Sequence, residues 1–169
     1  DGLPQGAVYG CVRYLKDLIT EYEPSHMAVV FDAPGETFRH RLYAAYKGTR
    51  PPMDPALKVQ IAPLQALVRA MGIPSFCVAG VEGDDVIGTL SRMTGGKGLH
   101  TLVCSADKDL AQLVTSHVAL LRGHRMDEDD VQQEFGVRPR QMIDLLALQG
   151  DRADNIPGVP GVGPKTATA

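Results

Sequence analysis

Carboxylate side chains recur in short groups along the chain, and their types and spacing fit the binding of metal ions. Eight of them form the candidate set, namely Asp32, Glu82, Asp84, Asp85, Asp107, Asp109, Asp151 and Asp154. Carboxylates brought close together repel one another unless a cation or protons intervene. Because oxygen ligands suit hard ions, the set predicts Mg²⁺ or Mn²⁺ rather than zinc. Two such ions can activate a water molecule and stabilise the leaving oxygen of a phosphodiester.

Each acidic group also has a simpler interpretation. A single aspartate after a strand is often a turn residue or a helix cap, and an Asp-Asp pair at a helix start is favoured by the helix dipole. Capping does not readily explain several such groups that all follow predicted strand ends. The five histidines show no ligand spacing with each other or with the cysteines, and no Ser-His-Asp or Cys-His arrangement competes.

A basic segment at residues 36–50 offers the complementary charge. Lys47 and Arg50 could contact a scissile phosphate, because cationic donors stabilise the charge that develops in the transition state. Tyr43 and Tyr46 lie among these cations, and aromatic rings can stack on unpaired bases. The alternative is a solvated amphipathic face.

The glycine-rich tail gives a second nucleic-acid signal. Residues 156–165 read IPGVPGVGPK and place glycines before a predicted helix start, with Lys165 inside it. Glycines let backbone N–H groups approach a phosphate, and a helix N-terminus favours the anion. The segment resembles the hairpin of a helix–hairpin–helix DNA-binding element, and the alternative is a plain Gly/Pro turn.

Apolar runs alternate with amphipathic segments, as in α/β proteins. Residues 7–22 follow helical spacing, whereas the runs at 27–31, 75–78 and 101–104 fit buried strands. The alternation predicts a mostly parallel central sheet flanked by helices. Since ligands of such sheets lie at the carboxyl ends of the strands, three acidic segments should converge on one edge.

The composition sets wider limits. The chain has 169 residues, 44% hydrophobic and 22% charged, with a net charge of −3, which fits one globular domain. Three scattered cysteines, Cys11, Cys77 and Cys104, argue against a disulfide framework and for a reducing, intracellular setting. No apolar run approaches the length of a membrane span, so no membrane partner is expected.

Four long motifs resemble one known family. They read FDAPGETFRHRLYAAYKGTRPPM, GVEGDDVIGTL, SADKDLAQLV and LQGDRADNIPGVPGVGPKTA. In this order they resemble the 5′-nuclease domain of bacterial DNA polymerase I, a member of the flap-endonuclease superfamily. The resemblance implies a structure-selective 5′–3′ exonuclease and flap endonuclease that removes 5′ flaps and RNA primers in DNA replication and repair. It also implies flap or nicked duplex DNA and RNA-primer/DNA hybrids as partners, a polymerase domain in the parent protein, and the bacterial cytoplasm, at the nucleoid, as the location.

The resemblance also implies roles for individual residues. The first metal site would comprise Asp32, Glu82, Asp84 and Asp85. The second would comprise Asp107, Asp109, Asp151 and Asp154. The helical arch and gateway for a 5′ single strand would include Arg39, Tyr46, Lys47 and Arg50. A helix–three-turn–helix element that grips duplex DNA, often with K⁺, would include Gly158, Gly161 and Gly163.

This pattern predicts an α/β core over residues 1–150 and the start of the helix–three-turn–helix element over 151–169. Family members begin with a further strand that carries an aspartate ligand, and they continue beyond the helix after GVGPK. We therefore expect the chain to be a fragment whose first metal site lacks one ligand and whose sheet lacks one strand. Two other hypotheses stay open at this stage, namely a nucleic-acid-binding remnant that does not cleave and a PIN-like ribonuclease.

Overall fold

Helices and short strands alternate along the chain in this computed structural model, which describes residues 2 and 4–168. In chain order the elements are α1 (Gly6–Tyr22), β1 (Val29–Val30), α2 (Phe38–Leu42), α3 (Pro55–Ala70), β2 (Ser75–Phe76), α4 (Gly83–Gly95), β3 (Thr101–Cys104), a 3₁₀ helix (Lys108–Leu113), β4 (Val118–Arg122), β5 (His124–Met126), α5 (Glu128–Phe135), a second 3₁₀ helix (Pro139–Gln141), α6 (Met142–Gln149), β6 (Gly150–Asp151), β7 (Ile156–Pro157) and α7 (Pro164–Ala167). Over the described part of the chain, no helix has both the length and the apolar character of a membrane span.

The first of two compact units consists of Asp1–Ala33 and Pro51–Val78. Its helices α1 and α3 pack together around Leu15 and Val68, as the three-four spacing of their apolar residues predicts. The buried Gln60 side chain on α3 accepts hydrogen bonds from the backbone N–H groups of Ala7 (2.8 Å) and Val8 (3.3 Å). Those groups have no partner within the first turn of α1, so Gln60 fixes the start of that helix.

The second unit consists of Pro34–Arg50 and Ala79–Ala169. Strand β3 pairs in parallel with β4, and β5 adds an antiparallel edge strand after the turn at Gly123. Helix α4 packs against β3, α5 against β5 and the first 3₁₀ helix against β4, and α6 packs on that 3₁₀ helix. The core residues are Val103, Leu110, Ala111, Val114, Val118, Leu120, Met126, Val131, Val137, Met142 and Leu145.

The strands differ from the prediction in length and number. Pairing is parallel for β1–β2 and β3–β4, as expected, but the described strands form three small sheets instead of one continuous sheet. The apolar runs at 27–31 and 75–78 contribute only two strand residues each. The β6–β7 hairpin was not predicted, because two-residue strands are too short to show the alternation that marks a strand. The domain boundary at residue 150 stays a prediction.

Candidate active site

Helix α2 is attached by its first turn to the segment that leads into α4. The backbone N–H of Phe38 donates to the carbonyl of Gly80 at 2.9 Å. The N–H of Thr37, just before the helix, donates to Nδ1 of His40 at 3.1 Å. These bonds satisfy N–H groups that a helix start leaves unpaired, and they bring Arg39 to the N-terminus of α4.

Arg39 and Asp85 form a two-pronged ion pair at that position. The guanidinium donates to both carboxylate oxygens of Asp85, at 2.7 and 2.8 Å. Asp85 also accepts the backbone N–H of Glu82 at 2.9 Å. The hydrogen bonds from Arg39 lower the pKa of Asp85 below its ordinary value, despite partial burial. Asp85 is therefore a fixed, ionised carboxylate at a helix N-terminus, where the dipole favours negative charge.

Glu82 lies beside this pair and is buried, with 8% of its surface exposed. Lys47 donates to one of its carboxylate oxygens at 2.6 Å, and the Tyr46 hydroxyl contacts the other at 2.8 Å. The same hydroxyl lies 3.0 Å from a carboxylate oxygen of Asp154. A hydroxyl has one hydrogen and can donate to only one of these acids at a time. Burial and these two carboxylates raise the pKa of Tyr46, so it remains protonated.

The loop between β6 and β7 is bonded to the segment that follows α2. The backbone N–H of Lys47 donates to the carbonyl of Asp154 at 2.9 Å, and the Asn155 side chain donates to the carbonyl of Ala45 at 2.8 Å. Arg50 donates to the carbonyl of Ala153 at 3.1 Å and forms an ion pair with Asp154. Lys47 has a positive φ of 55°, which is uncommon for a residue with a side chain. Its backbone bond to Asp154 offsets that local cost, while the ion pair with Glu82 holds its ammonium.

These contacts define the first charge cluster, in which cations and acids from three chain segments interlock. Its members are Arg39, Tyr46, Lys47, Arg50, Glu82, Asp85 and Asp154. All of them belong to the second compact unit.

A second charge cluster, consisting of Asp107, Lys108, Asp109 and Asp151, lies at the start of the first 3₁₀ helix. Asp107 caps this helix by accepting the backbone N–H of Asp109 at 2.9 Å. The Lys108 ammonium lies 2.8 Å from a carboxylate oxygen of Asp109 and 3.6 Å from one of Asp151. Burial by itself would lower the pKa of Lys108, but the hydrogen bond and charge of Asp109, together with Asp151, raise it.

The predicted second-site group is therefore divided between two sets of contacts. Asp154 interacts with Tyr46 and Arg50 in the first cluster, whereas Asp151 interacts with Lys108 in the second. Within residues 2 and 4–168, no three His, Cys, Asp or Glu side chains are grouped in a way that would hold a metal ion. The carboxylates contact protein cations in this structure. Their oxygen-only donor set nevertheless fits a hard divalent ion.

The structure also places two further predicted ligands. Asp32 follows β1 in the first compact unit, and its backbone carbonyl accepts the Cys77 thiol at 3.7 Å. Asp84 is exposed in the first turn of α4. Their roles as metal ligands stay predictions.

Tyr46 requires a correction, because its ring was expected to be available for base stacking. Only 5% of its surface is exposed, and the edge of His40 packs against the ring with 5.3 Å between centroids. Its hydroxyl contacts carboxylates instead. Tyr43 is 42% exposed and remains suitable for stacking. It lines an open groove of about 490 Å³ together with Phe38, Arg39, Leu42, Tyr46, Ile156 and Pro157.

The tail glycines differ from one another in their surroundings. A Cβ at Gly158 would lie 2.7 Å from the backbone nitrogen of Gly150, so this position requires glycine for the packing of the hairpin. Gly161 has a φ of +80° and Gly163 caps α7, and both have open space where a side chain would begin. Lys165 is exposed on α7. Their contact with DNA stays a prediction.

Three contributors were missed from the sequence. Lys108 was treated only as the residue between two aspartates, although a lysine flanked by acids is a natural partner for both. Asn155 and Gly150 support the hairpin, each with a positive φ, of 58° and 72° respectively. The Gly-Asp and Asp-Asn dipeptides at 150–151 and 154–155 are typical of turns, and that signal could have revealed the hairpin.

The family assignment follows from the match of the whole chain. Residues 1–136 match the model for the 5′-3′ exonuclease N-terminal resolvase-like domain, and residues 137–169 match the 5′-3′ exonuclease C-terminal SAM fold. The chain belongs to the 5′-3′ exonuclease family. The 5′-nuclease fold implied by the sequence motifs is thereby confirmed, while the helical arch stays a prediction.

The chain is similar to part of the length of several known proteins. It is 53% identical to DNA polymerase I of Pseudomonas aeruginosa, over 98% of this chain and 18% of that protein. It is 44% identical to the 5′-3′ exonuclease of Buchnera aphidicola, over 97% of this chain and 55% of that protein. The structure of T5 5′-exonuclease with bound divalent metal ions (zinc) matches with a TM-score of 0.82 and 26% identity, over 98% of this chain and 65% of that one. The chain thus spans less than two thirds of each of these proteins.

Proposed function

We propose that the chain forms the catalytic core of a structure-selective, metal-dependent 5′-nuclease. Its reaction is the hydrolysis of phosphodiesters at 5′ flaps and RNA primers in DNA replication and repair. The first charge cluster is the observation that carries this proposal. It combines carboxylates of the kind that hold Mg²⁺ or Mn²⁺ with cations of the kind that bind phosphate, and the chain belongs to a 5′-3′ exonuclease family.

Two divalent ions would be held by the two acidic sets. Asp32, Glu82, Asp84 and Asp85 would hold one ion, and Asp107, Asp109, Asp151 and Asp154 the other. When bound, such ions polarise the phosphodiester and make water a nucleophile at neutral pH. In the structure protein cations already pair with five of these acids, namely Glu82, Asp85, Asp109, Asp151 and Asp154. A bound metal ion would therefore share carboxylate oxygens with these protein cations.

Lys47 and Arg50 would contact the scissile phosphate. Both are held at the first charge cluster through backbone bonds as well as through their charged groups. Each is paired with a carboxylate, and a phosphodiester offers the same charge and a similar hydrogen-bonding partner. Cations already positioned before the reaction stabilise transition-state charge without the cost of reorientation.

Nucleic acid would be recognised at three places. Tyr43 and the apolar groove beside it would take an unpaired base of the 5′ strand, with Arg39 at the rim. The segment after α2 would form part of the helical arch. Gly158, Gly161, Gly163 and Lys165 would contact the phosphates of the downstream duplex, with K⁺ at the helix–three-turn–helix element. The partners would be flap or nicked duplex DNA and RNA-primer/DNA hybrids, in a bacterial cytoplasmic protein that also carries a polymerase domain and acts at the nucleoid.

A cleavage assay with four end-labelled substrates tests this proposal. We would incubate the purified protein with a 5′-flap duplex, a nicked duplex, an RNA-primed duplex and single-stranded RNA, each with Mg²⁺ or with EDTA. Cleavage of the flap near its junction, with Mg²⁺ only, is the expected result. Tight flap binding without cleavage would instead identify a binding module, and a preference for single-stranded RNA would identify a PIN-like ribonuclease.

A further inference from the structure

Lys108 connects two acids that are far apart in sequence. Its ammonium contacts Asp109, the next residue, at 2.8 Å, and it lies 3.6 Å from Asp151 on the β6–β7 hairpin. Lys108 therefore bridges the 3₁₀ helix and the hairpin, and its removal would leave two carboxylates facing each other without a shared cation.

In the second charge cluster, some carboxylate oxygens accept backbone N–H groups and others contact the Lys108 ammonium. Asp107 uses one oxygen to cap the 3₁₀ helix, at 2.9 Å from the Asp109 nitrogen. Asp151 uses one oxygen to accept the N–H of Ala153 at 2.7 Å, and its other oxygen faces Lys108. Among the oxygens that these backbone bonds leave available to a cation, Lys108 contacts one of Asp109 and one of Asp151.

The charge balance suits exchange with a divalent ion. Three aspartates and one lysine leave two negative charges in the cluster, and without the lysine three negative charges remain. The cluster is also accessible, because 47% of the Lys108 side chain, 29% of that of Asp109 and 20% of that of Asp151 are exposed. Water and ions can therefore reach the lysine, and its release into solvent costs little.

We propose that Lys108 is the internal counter-cation of the second charge cluster. It holds Asp109 and Asp151 together in the absence of metal and competes with a divalent ion for the same oxygens. This inference rests on the proposed function, since it assumes that these aspartates bind metal. Lys108 is then a positioning residue that sets the metal concentration at which the cluster loads, because an ion that binds must first displace the ammonium.

Among the other cations in the same unit, Arg39 also lies near two acids, Asp85 at 2.7 Å and Glu82 at 3.6 Å. Arg122 and Arg138 do not share this geometry. Arg122 pairs with Glu134 and Arg138 pairs with Asp129, each with a single acid outside the predicted metal ligands. Lys97 follows α4 and is exposed. It carries the same charge as Lys108 and lies outside both charge clusters, so it serves as a matched control for effects of net charge.

Mn²⁺ binding measured by electron paramagnetic resonance tests this role without any cleavage step. Wild type, Lys108→Gln, Lys108→Arg and Lys97→Gln would be titrated with Mn²⁺ in the absence of DNA. We expect Lys108→Gln to bind Mn²⁺ about three- to tenfold more tightly, because one competing charge has been removed from a partly exposed site. Lys108→Arg should stay close to wild type, and so should Lys97→Gln.

Thermal unfolding provides the second readout. Lys108→Gln should have a lower Tm than wild type in EDTA, because two carboxylates are left facing each other, and Mn²⁺ should remove that difference. Circular dichroism would confirm that each variant is folded, and Lys108→Ala would replace Lys108→Gln if the latter is not.

Three results would overturn the inference. Unchanged or weaker Mn²⁺ binding by the folded Lys108 variants would show that the lysine does not compete with metal. An equal gain in Mn²⁺ affinity for Lys97→Gln would show that the effect comes from the change in net charge alone. If wild type binds Mn²⁺ normally, either result leaves the proposed nuclease function intact. If wild type binds no Mn²⁺ at all, the proposed function fails and this inference fails with it.

Discussion

The two charge clusters solve the same electrostatic problem in different surroundings. In both, protein cations separate carboxylates that would otherwise repel one another. In the first, Glu82 and Tyr46 are 8% and 5% exposed, and several cations and a hydroxyl interlock. In the second, a single half-exposed lysine serves two aspartates.

This difference in burial determines what each cluster can do. Removing one partner of a buried ion pair leaves a charge that water cannot solvate, which costs about 3–5 kcal/mol, whereas exposed pairs contribute about 0–1 kcal/mol. The first cluster is therefore suited to holding catalytic cations in fixed positions. The second is suited to exchanging its cation.

The largest expected effect is on catalysis by the first cluster. Lys47→Ala should lower kcat for flap cleavage about 100-fold, because a positioned cation is lost from the reacting phosphate, with a smaller change in flap affinity. Single-turnover cleavage and fluorescence anisotropy would measure the two quantities, and Lys97→Ala should change neither. Equal losses of cleavage and affinity would mean that Lys47 only anchors the phosphate.

The next largest effect should be on the stability of the β6–β7 hairpin, which carries Asp151 of the second cluster and, in its loop, Asp154 of the first. Gly158→Ala should lower the free energy of unfolding by about 1–3 kcal/mol, because the added Cβ overlaps backbone atoms of Gln149 and Gly150. Gly163→Ala, which has open space and an ordinary φ, is the matched control and should change stability little. Urea unfolding would measure both. A Gly158→Ala variant as stable as wild type would show that the hairpin repacks easily.

A pair of mild substitutions compares the clusters directly. Tyr46→Phe should cost about 1–3 kcal/mol of stability, because a carboxylate beside the buried ring loses its hydrogen-bond donor. Lys108→Gln should cost less than about 1 kcal/mol, as for an exposed ion pair. Urea unfolding in EDTA gives both values. The opposite ranking would contradict the assignment of the first cluster as the rigid one.

The smallest effect concerns pH. Asp85 has a lower pKa in the folded chain than its ordinary value of 3.8, because Arg39 stabilises its charged form. Its contribution to stability is thus present above pH 3.8 and disappears as the pH falls through the lowered pKa. Asp85→Asn should therefore flatten the acid limb of the curve of unfolding free energy against pH, measured in EDTA. An unchanged acid limb would mean that the Arg39 contact is absent in solution.

Periodicity and turn chemistry predicted much of this molecule. Helix α1 and strand β3 were expected where they occur, because long or strongly apolar patterns leave little ambiguity. The β6–β7 hairpin was not predicted, since strands of two residues carry too little periodic signal.

The residues of the candidate site could be predicted from the sequence, but the contacts between them could not. The acids and cations were recognised from their types, but no sequence pattern indicates that Tyr46 reaches Glu82 and Asp154 over separations of 36 and 108 residues. Such contacts depend on how the chain folds back on itself. The same holds for Asp154, which shares a motif with Asp151 and joins a different cluster.

The most direct test of the first charge cluster separates binding from cutting. Flap affinity and single-turnover cleavage would be measured for wild type and Asp85→Asn with saturating Mg²⁺. We expect Asp85→Asn to bind the flap with nearly unchanged affinity and to cleave it at least about 100-fold more slowly, because a charged oxygen ligand and the partner of Arg39 are both lost. Undiminished cleavage by Asp85→Asn would contradict the placement of the active site at this cluster.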